Sequence, residues 1–241
     1  MSLNPSVCFF TVCGGGEDYE FLLGSIEHHA AIGRHIVLDT TPKDRARTFS
    51  KLPATVQWIH EPIYGHGRKE FKLRTAVERA AHLAKESGAD VIVYLDSDEF
   101  FILDDWVIRL ATDRLVEVNS LVWKPDGKCY DCGESEWHVR LWPGKADVRI
   151  ARNEAWLVHP DYNGNPEYHP VVVSKVPSIR AHGPIHHHLH YAIGEKASDL
   201  WTAKTTIPGF FDGNTEVDPV PWPEPLVRWR DYGILPSQAF V

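Results

Sequence analysis

Four short, mostly apolar runs between residues 6 and 95 constrain the fold of this chain more than any other feature of its sequence. They cover residues 6–12, 35–38, 56–59 and 91–95. Continuous apolar runs of this length indicate strands that are buried on both faces, which is typical of parallel sheets. Helical patterns separate the runs, so this part of the chain is predicted to be an α/β unit with right-handed crossovers.

Two helices are predicted between these strands. The first opens with Glu17, has apolar residues at helical spacing, and is expected to end at Gly33 in a left-handed conformation. The second covers residues 68–87 with a broad apolar stripe, and Gly88 is expected to terminate it. Both helices can therefore cover the faces of the sheet.

The second half of the chain has a looser pattern. Short strands with polar alternation are predicted at residues 119–123, 137–142, 155–158 and 171–174. From residue 207 onward, Pro, Gly and Trp are frequent, which favours an extended segment that wraps the domain or covers a site. We therefore expect one domain over residues 1–241, with a first half at 1–100, a second half at 101–206 and an extended C-terminal tail at 207–241.

Charge and hydropathy exclude some classes of partner. The net charge is −8, from 25 basic and 33 acidic residues, whereas proteins that bind a phosphate backbone usually carry a basic surplus. No apolar run approaches the roughly 18 residues of a membrane span. The N-terminus lacks the basic flank and long apolar region of a secretory signal. A cytoplasmic protein without a membrane span is expected.

Two cysteines have the spacing of a zinc knuckle or a redox pair. They are Cys129 and Cys132, and His138 is the nearest candidate for a third zinc ligand. Cys8 and Cys13 are expected to point to opposite faces of the first strand. The sequence leaves two interpretations open, a zinc site and a set of free thiols.

An acidic cluster follows the fourth apolar run. Asp96, Asp98 and Glu99 come directly after Leu95, at the predicted carboxyl end of a parallel strand, where ligands of such sheets bind. Three carboxylates this close repel one another unless a cation compensates their charge. Carboxylate oxygens suit Mg²⁺ or Mn²⁺, which also bind phosphate oxygens. The cluster therefore predicts a hard metal ion that bridges carboxylates and a diphosphate.

The acidic cluster also carries a family resemblance. The segment Tyr94-Leu95-Asp96-Ser97-Asp98-Glu99-Phe100 resembles the D-x-D-E-F signature of family-two-type glycosyltransferases with the GT-A fold. Weaker similarities follow in the family's order over residues 6–205, and they lie at residues 17–33, 139–143, 158–161, 190–191 and Lys196. The resemblance implies a Rossmann-like, mostly parallel central sheet flanked by helices, with a smaller mixed sheet on the acceptor side. Residues 1–100 would then bind the nucleotide and residues 101–206 the acceptor.

The resemblance also implies ligands for a metal ion and a nucleoside diphosphate. Asp98 would bind the metal, and Asp96 would contact both the metal and the ribose or uracil. The segment 182–190 contains five histidines, and the resemblance implies that one of them completes the metal site. His190 is the first candidate and His188 the second, because strand alternation places both on one face. The base and ribose would lie against Thr11, Gly14 and Asp39, and the diphosphate charge against Lys196.

The implied reaction transfers a sugar from a nucleoside diphosphate sugar, with UDP-sugars favoured, to a hydroxyl acceptor. Inversion is expected, and an inverting displacement needs a carboxylate base. Asp161 is the first candidate base, and Glu134 and Asp131 are the next. The implied cofactor is Mn²⁺ or Mg²⁺. The acceptor can be a glycan, a protein or a modified nucleic acid base, and the sequence does not choose among them.

Two other classes of function share some of these features. A metal-dependent phosphohydrolase or nucleotidyltransferase also uses carboxylates at a strand end, together with histidines. The nine tryptophans are also compatible with a non-catalytic module that binds sugars by stacking. The sequence favours the transferase because a sugar-binding module has no need of two aspartates at a strand end.

Overall fold

The computed structural model of this chain describes most of its first three quarters. The described residues are 4–14, 19–43, 52–64, 73–123, 128–131, 137–151, 170–189, 215–218, 221, 223–224 and 226–227. Within them, no helix is long and apolar enough to cross a membrane.

The described residues form α-helices, strands and one short helical turn. The α-helices are Tyr19–Ala30 (α1), Leu73–Glu86 (α2) and Asp105–Leu110 (α3), and the turn lies at Pro62–Tyr64. The strands are Val7–Cys13 (β1), Arg34–Asp39 (β2), Val56–His60 (β3), Val91–Tyr94 (β4), Glu99–Phe101 (β5), Leu115–Trp123 (β6), Cys129–Asp131 (β7), Trp137–Pro143 (β8), Val148–Ala151 (β9), Val171–Ser174 (β10), Ser178–His188 (β11) and Thr215–Val217 (β12).

The first four strands form the parallel core of the sheet. Their order is β3-β2-β1-β4, and every neighbouring pair in this order is parallel. The side chains of β1 and β4 are buried throughout, as expected for central strands with both faces covered. The predicted α/β architecture of the first half is confirmed.

The second half continues the same sheet with mixed pairing. Strand β8 pairs antiparallel with β4, and β6, β7 and β12 follow as antiparallel neighbours in turn. Strand β11 lies parallel to β6 and antiparallel to β5. The second half was predicted to form a smaller mixed sheet; its pairing is mixed, but these strands extend the central sheet because β8 joins them to the parallel core. A separate two-stranded sheet is formed by β9 and β10.

The hydrophobic core lies on both faces of the central strands. On one face, the small residues Ala76, Ala80 and Ala84 of α2 pack against Phe10 and Ile92. Alanines let the helix approach the sheet closely, and complete burial of a phenylalanine contributes roughly 1.5–3 kcal/mol. This packing fixes β1 and β4, and with them the edge at which the acidic cluster lies.

Two glycines near the helix ends have different structural roles. Gly88 has φ +71° just after α2, as predicted for a residue that ends a helix. Gly33 is not in the left-handed region. A Cβ atom there would lie 2.3 Å from the carbonyl oxygen of Val7, so close packing against β1 requires this glycine.

Several elements were not predicted from the sequence. They are the short strands β5, β7, β9 and β12, the helix α3, and the length of β11. Strand β12 lies in the C-terminal segment that was expected to be merely extended, and it pairs with β7. The predicted strand at residues 155–158 and the first residues of the helix at 68–87 lie outside the described residues. Strands of three residues have too few positions to show a period.

Three histidines, one partly buried and two fully buried, lie between α1 and the sheet. They are His28 and His29 at the end of α1 and His35 in β2. The ring of His35 stacks on Phe9 at 5.8 Å, and its Nε2 lies 2.9 Å from the Oγ1 of Thr11. Burial lowers the pKa of all three imidazoles, that of His35 to about 3. They are therefore neutral in the folded chain at neutral pH.

Replacing His35 with leucine should flatten the dependence of the free energy of unfolding on pH. Unfolding takes up a proton at this imidazole between its unfolded pKa of about 6.5 and its folded pKa of about 3. Stability therefore rises with pH in this window and is lost as the pH falls. Between about pH 6 and pH 5, we expect the slope to fall by about 1 kcal/mol per pH unit. Urea unfolding at a series of pH values measures this slope.

The control is His82→Gln on α2. The His82 side chain is 60% exposed, so this variant removes a surface imidazole and leaves the buried one in place, and its slope is the reference for His35→Leu. An unchanged slope in His35→Leu would contradict the assignment of a neutral imidazole to His35.

Candidate functional site

The acidic cluster lies at the carboxyl end of the parallel core. Strand β4 ends at Tyr94, the chain turns through Asp96 and Asp98, and β5 begins at Glu99. The register of β1 with β2 and β4 brings the carboxyl ends of these three strands to one edge of the sheet. The structure thus places the cluster where parallel sheets bind their ligands.

One of the three carboxylates does not face solvent. The side chain of Glu99 is fully buried, and that of Arg140, from β8, is 10% exposed. The Nη2 atom of Arg140 donates to the Oε1 of Glu99 at 2.6 Å and to the Oδ2 of Asp96 at 3.0 Å. The other Glu99 oxygen accepts the backbone N–H of Asp96 at 2.9 Å. Glu99 and Arg140 therefore hold Asp96 by both its main chain and its side chain.

The charges of this network follow from burial and from Arg140. Desolvation raises the pKa of Glu99, but Arg140, His186 and His188 together outweigh it and the pKa falls to about 2. Desolvation and the negative charge of Glu99 raise the pKa of Asp96, and Arg140 opposes that rise. The guanidinium lies over the Tyr94 ring, 4.7 Å from its centroid. Arg140 thus remains charged in a nearly dry environment between two carboxylates and an aromatic face.

His186 closes the buried side of this network. Its Nε2 lies 3.0 Å from the Oε1 of Glu99, and its Nδ1 lies 3.1 Å from the Oγ of Ser120. The ring stacks on Phe101 at 4.9 Å. Desolvation lowers the pKa of His186 to about 4, although Glu99 opposes the shift, so the imidazole is neutral at neutral pH. His186 is therefore a buried partner of Glu99 and does not face the open side of the site.

His188 and Asp98 form the open side of the site. The Nε2 of His188 lies 3.6 Å from the Oδ2 of Asp98, and the two side chains are 30% and 25% exposed. Desolvation opposes protonation of His188, but Asp98 and the other carboxylates raise its pKa to about 9. An imidazole nitrogen and a carboxylate oxygen that face each other at the surface can bind one divalent cation between them. The cation then replaces the proton on the imidazole.

His187 points away from the acidic cluster. Its ring stacks on Phe100 at 4.5 Å, and its Nδ1 accepts the indole N–H of Trp123 at 3.1 Å. Burial lowers its pKa to about 3. The alternation predicted for this segment is confirmed for His186 and His188, which lie on the face of the carboxylates while His187 lies on the other; His190 is outside the described residues.

The residues predicted to hold the base and ribose lie at the same edge of the sheet. Asp39 is opposite Cys13 in the register of β2 with β1, and Thr11 and Gly14 are at the end of β1. The Asp39 carboxylate is buried and accepts the indole N–H of Trp58 at 3.1 Å and a backbone N–H at 2.9 Å. The side chain of Thr11 is directed to His35. The side chains of Asp39 and Thr11 therefore bond within the protein at this edge of the sheet. The backbone at the end of β1 remains the candidate contact for the base and ribose.

Several predicted site residues lie outside the described part of the chain. They are His190, Lys196, Asp161 and Glu134. The remaining candidate base, Asp131, lies in β7, and its carboxylate accepts the side-chain amide of Asn119.

The described cysteines are free thiols. Cys8, Cys13 and Cys129 are buried, and Cys8 and Cys13 pack in different core clusters. Burial raises the pKa of Cys129 to about 11, which keeps it protonated, whereas zinc binds the thiolate. Cys132 lies outside the described residues, so the zinc interpretation stays a prediction.

The part of the chain that the structure describes contains no group of three or more His, Cys, Asp or Glu side chains placed to hold a metal ion. Asp98 and His188 form a pair, and His190 follows two residues after His188, beyond the described segment. Mg²⁺ and related hard ions are usually bound by one or two protein ligands, with phosphate oxygens and water completing the shell. A carboxylate oxygen with an imidazole nitrogen fits such an ion, Mn²⁺ in particular.

Sequence reasoning missed the part that Arg140 and Glu99 have in this site. Arg140 entered only through a weak resemblance at residues 139–143, and Glu99 was grouped with the open carboxylates. A usable signal was present, because Arg140 is a charge beside the apolar residues Leu141 and Trp142, which are buried in this strand. A buried charge needs a partner of opposite charge, and the acidic cluster offers carboxylates for it.

Comparison with protein-family models and with curated proteins gives no match to this chain. Function therefore has to be inferred from the chemistry of the site itself.

Proposed function

We propose that this chain is a metal-dependent glycosyltransferase of the GT-A type. It moves a sugar from a nucleoside diphosphate sugar, with UDP-sugars favoured, to a hydroxyl acceptor with inversion. The observation that carries the proposal is the Asp98–His188 pair, 3.6 Å apart at the carboxyl end of a parallel strand. The strand order β3-β2-β1-β4 supports the GT-A type, because a nucleotide-binding edge is expected where such strands end.

The open pair fits a metal ion that also binds phosphate. Asp98 supplies an oxygen ligand, His188 supplies an imidazole nitrogen, and His190 is the proposed third ligand. Both described side chains are partly exposed, so a diphosphate can reach an ion held there. The bound ion would supply positive charge to the leaving diphosphate, which lowers the barrier to its departure.

The remaining residues bind and orient the donor in this proposal. Asp96 is 37% exposed and is held by Arg140, which leaves its free face for the ribose or for the metal. The backbone of Thr11 to Gly14 and the edge formed by Asp39 hold the base. Lys196 is proposed to lie against the diphosphate.

The reaction is a single displacement at the anomeric carbon. The bond from this carbon to the diphosphate oxygen breaks as the bond to the acceptor oxygen forms. The proton of the acceptor hydroxyl passes to a carboxylate, for which Asp161 is proposed first and Glu134 second. The diphosphate leaves with the electron pair of the broken bond.

A thermal-shift series with UDP, GDP and other nucleoside diphosphates, with and without Mn²⁺, tests this function. A ligand that binds the folded chain at 100 times its Kd stabilises it by about 2.7 kcal/mol. For a chain of this size, that corresponds to a rise in Tm of roughly 5–10 °C. We expect such a rise for one nucleoside diphosphate, UDP first, and only when Mn²⁺ is present.

Other results would favour the competing functions. Release of inorganic phosphate from the nucleotide would indicate a phosphohydrolase. A rise in Tm with free sugars and none with any nucleotide would indicate a sugar-binding module. Transfer of sugar from a panel of nucleotide sugars to water or to a test acceptor would then establish the donor directly.

A further inference from the structure

Strand β5 depends on α1 for one of its two edges. Its inner edge pairs with β11, where Phe100 is opposite His187, and the backbone N–H of Ile102 donates to the carbonyl of Ile185 at 2.8 Å. On this side, the backbone N–H of Leu189 also donates to the carbonyl of Asp98 at 2.9 Å. The polar groups of Glu99 and Phe101 that face the other way need partners elsewhere.

Side chains of α1 supply these partners. Ser25 donates its hydroxyl to the Glu99 carbonyl at 2.8 Å. The Nε2 of His29 accepts the Phe101 N–H at 3.1 Å, and the Nε2 of His28 lies 2.9 Å from the Phe101 carbonyl oxygen. Three side chains of one helix thus take the place of a neighbouring strand.

The bonds assign the protonation of the two imidazoles. His29 accepts at Nε2, so its proton is on Nδ1, which lies 3.4 Å from the hydroxyl oxygen of Ser25. His28 must carry a proton on Nε2 to donate to the Phe101 carbonyl. Each imidazole therefore meets one backbone group that only its own tautomer can satisfy.

We propose that Ser25, His28 and His29 are positioning residues that hold β5 in the register that sets Asp98 against His188. This inference rests on the proposed function, because it assigns the hydrogen bonds from α1 to β5 a role in metal binding. Asp98 immediately precedes β5, and the position of its main chain follows from that strand. His188 belongs to the strand on the other edge, so any slip of β5 changes the separation of the two ligands.

The distinguishing variants are His29→Leu and His29→Gln. Leucine removes the acceptor of the Phe101 N–H, whereas the side-chain oxygen of glutamine reaches the position of Nε2 and can accept the same bond. The matched control is His35→Leu, which removes another buried imidazole from the same region but one that bonds to Thr11 and not to β5. Ser25→Ala is the milder variant if His29→Leu does not fold.

Two measurements are made on the full chain. Amide hydrogen exchange at Phe101 reports on β5, and manganese binding without nucleotide, followed by the electron spin resonance of free Mn²⁺, reports on the ligand pair. In His29→Leu, we expect exchange at Phe101 to be faster and Mn²⁺ affinity to be weaker, each by about 10-fold or more, as for loss of a residue that orients a metal ligand. His29→Gln and His35→Leu should resemble the wild type in both.

The outcomes separate the inference from the function on which it rests. Unchanged exchange at Phe101 in His29→Leu overturns the inference whether or not metal binds. Faster exchange with unchanged Mn²⁺ affinity also overturns it, because β5 would then loosen without moving Asp98. An equal loss of Mn²⁺ affinity in His35→Leu would also overturn the inference, because the effect of His29→Leu would then reflect a general loss of stability. If the wild type binds no Mn²⁺, the proposed function fails, and the exchange rates still decide whether α1 holds β5.

Discussion

Replacing Asp98 with asparagine should abolish the Mn²⁺-dependent rise in Tm with nucleoside diphosphate and reduce sugar transfer at least about 100-fold. Asparagine keeps the shape of the side chain but removes the charge that binds the cation. The metal-free variant should lose no more than about 1 kcal/mol of stability, because water screens the partly exposed pair of Asp98 with His188 and Asp98 also lies beside other carboxylates. Loss of ligand binding with little loss of stability is the expected signature of a ligand residue.

The control for this prediction is Asp113→Asn. Asp113 follows α3, its side chain is 72% exposed, and its removal changes the net charge by the same amount. Both the Tm rise and the transfer rate should stay at wild-type values. If Asp98→Asn keeps the Mn²⁺-dependent rise, the cation binds elsewhere and the proposed site is wrong.

Replacing Arg140 with methionine should destabilise the fold by about 3–5 kcal/mol. The variant leaves Glu99 fully buried without its guanidinium partner, and a buried charge without a partner is among the most unfavourable states in a protein interior. Urea unfolding monitored by tryptophan fluorescence measures the loss. The double variant Arg140→Met with Glu99→Gln should recover a large part of it, because the buried carboxylate is then also gone.

A second ion pair in the chain provides the comparison. Arg79 and Glu61 are 3.1 Å apart, but their side chains are 37% and 26% exposed. Water and salt screen such a pair, so Arg79→Met should cost no more than about 1 kcal/mol. A similar small cost for Arg140→Met would show that Glu99 is compensated by some other group, and failure of the double variant to recover stability would indicate lost packing.

The parallel core was predictable because its signal is local. Each of the first four strands is a continuous apolar run, and each lies at or within a residue or two of its predicted position, for example β4 at Val91–Tyr94. The second half was harder, since several of its strands are only three residues long and the largely buried β6 was predicted only from residue 119 onward. The pairing of β8 with β4, which joins the two halves in one sheet, depends on contacts between distant segments that no local pattern encodes.

The site was predictable in part for a similar reason. Asp96 and Asp98 follow an apolar strand, and His186 and His188 lie on the face of the carboxylates that alternation predicts. Spacing alone could not separate the buried Glu99 from its exposed neighbours. That distinction depends on Arg140, which lies more than 40 positions after Glu99 in the sequence. Arg140 reaches Glu99 only because β8 pairs with β4.

The site can form only late in synthesis of the chain, because it requires strand β11. Asp98 and its partner His188 are separated by more than a third of the chain, and β11 covers one whole side of β6 as well as β5. While a ribosome is still making the segments before β11, the nascent chain presents the long, apolar β6 with an unpaired edge. A messenger truncated just upstream of β11 would therefore yield a product that lacks half of the ligand pair and is also prone to associate with other unfinished chains.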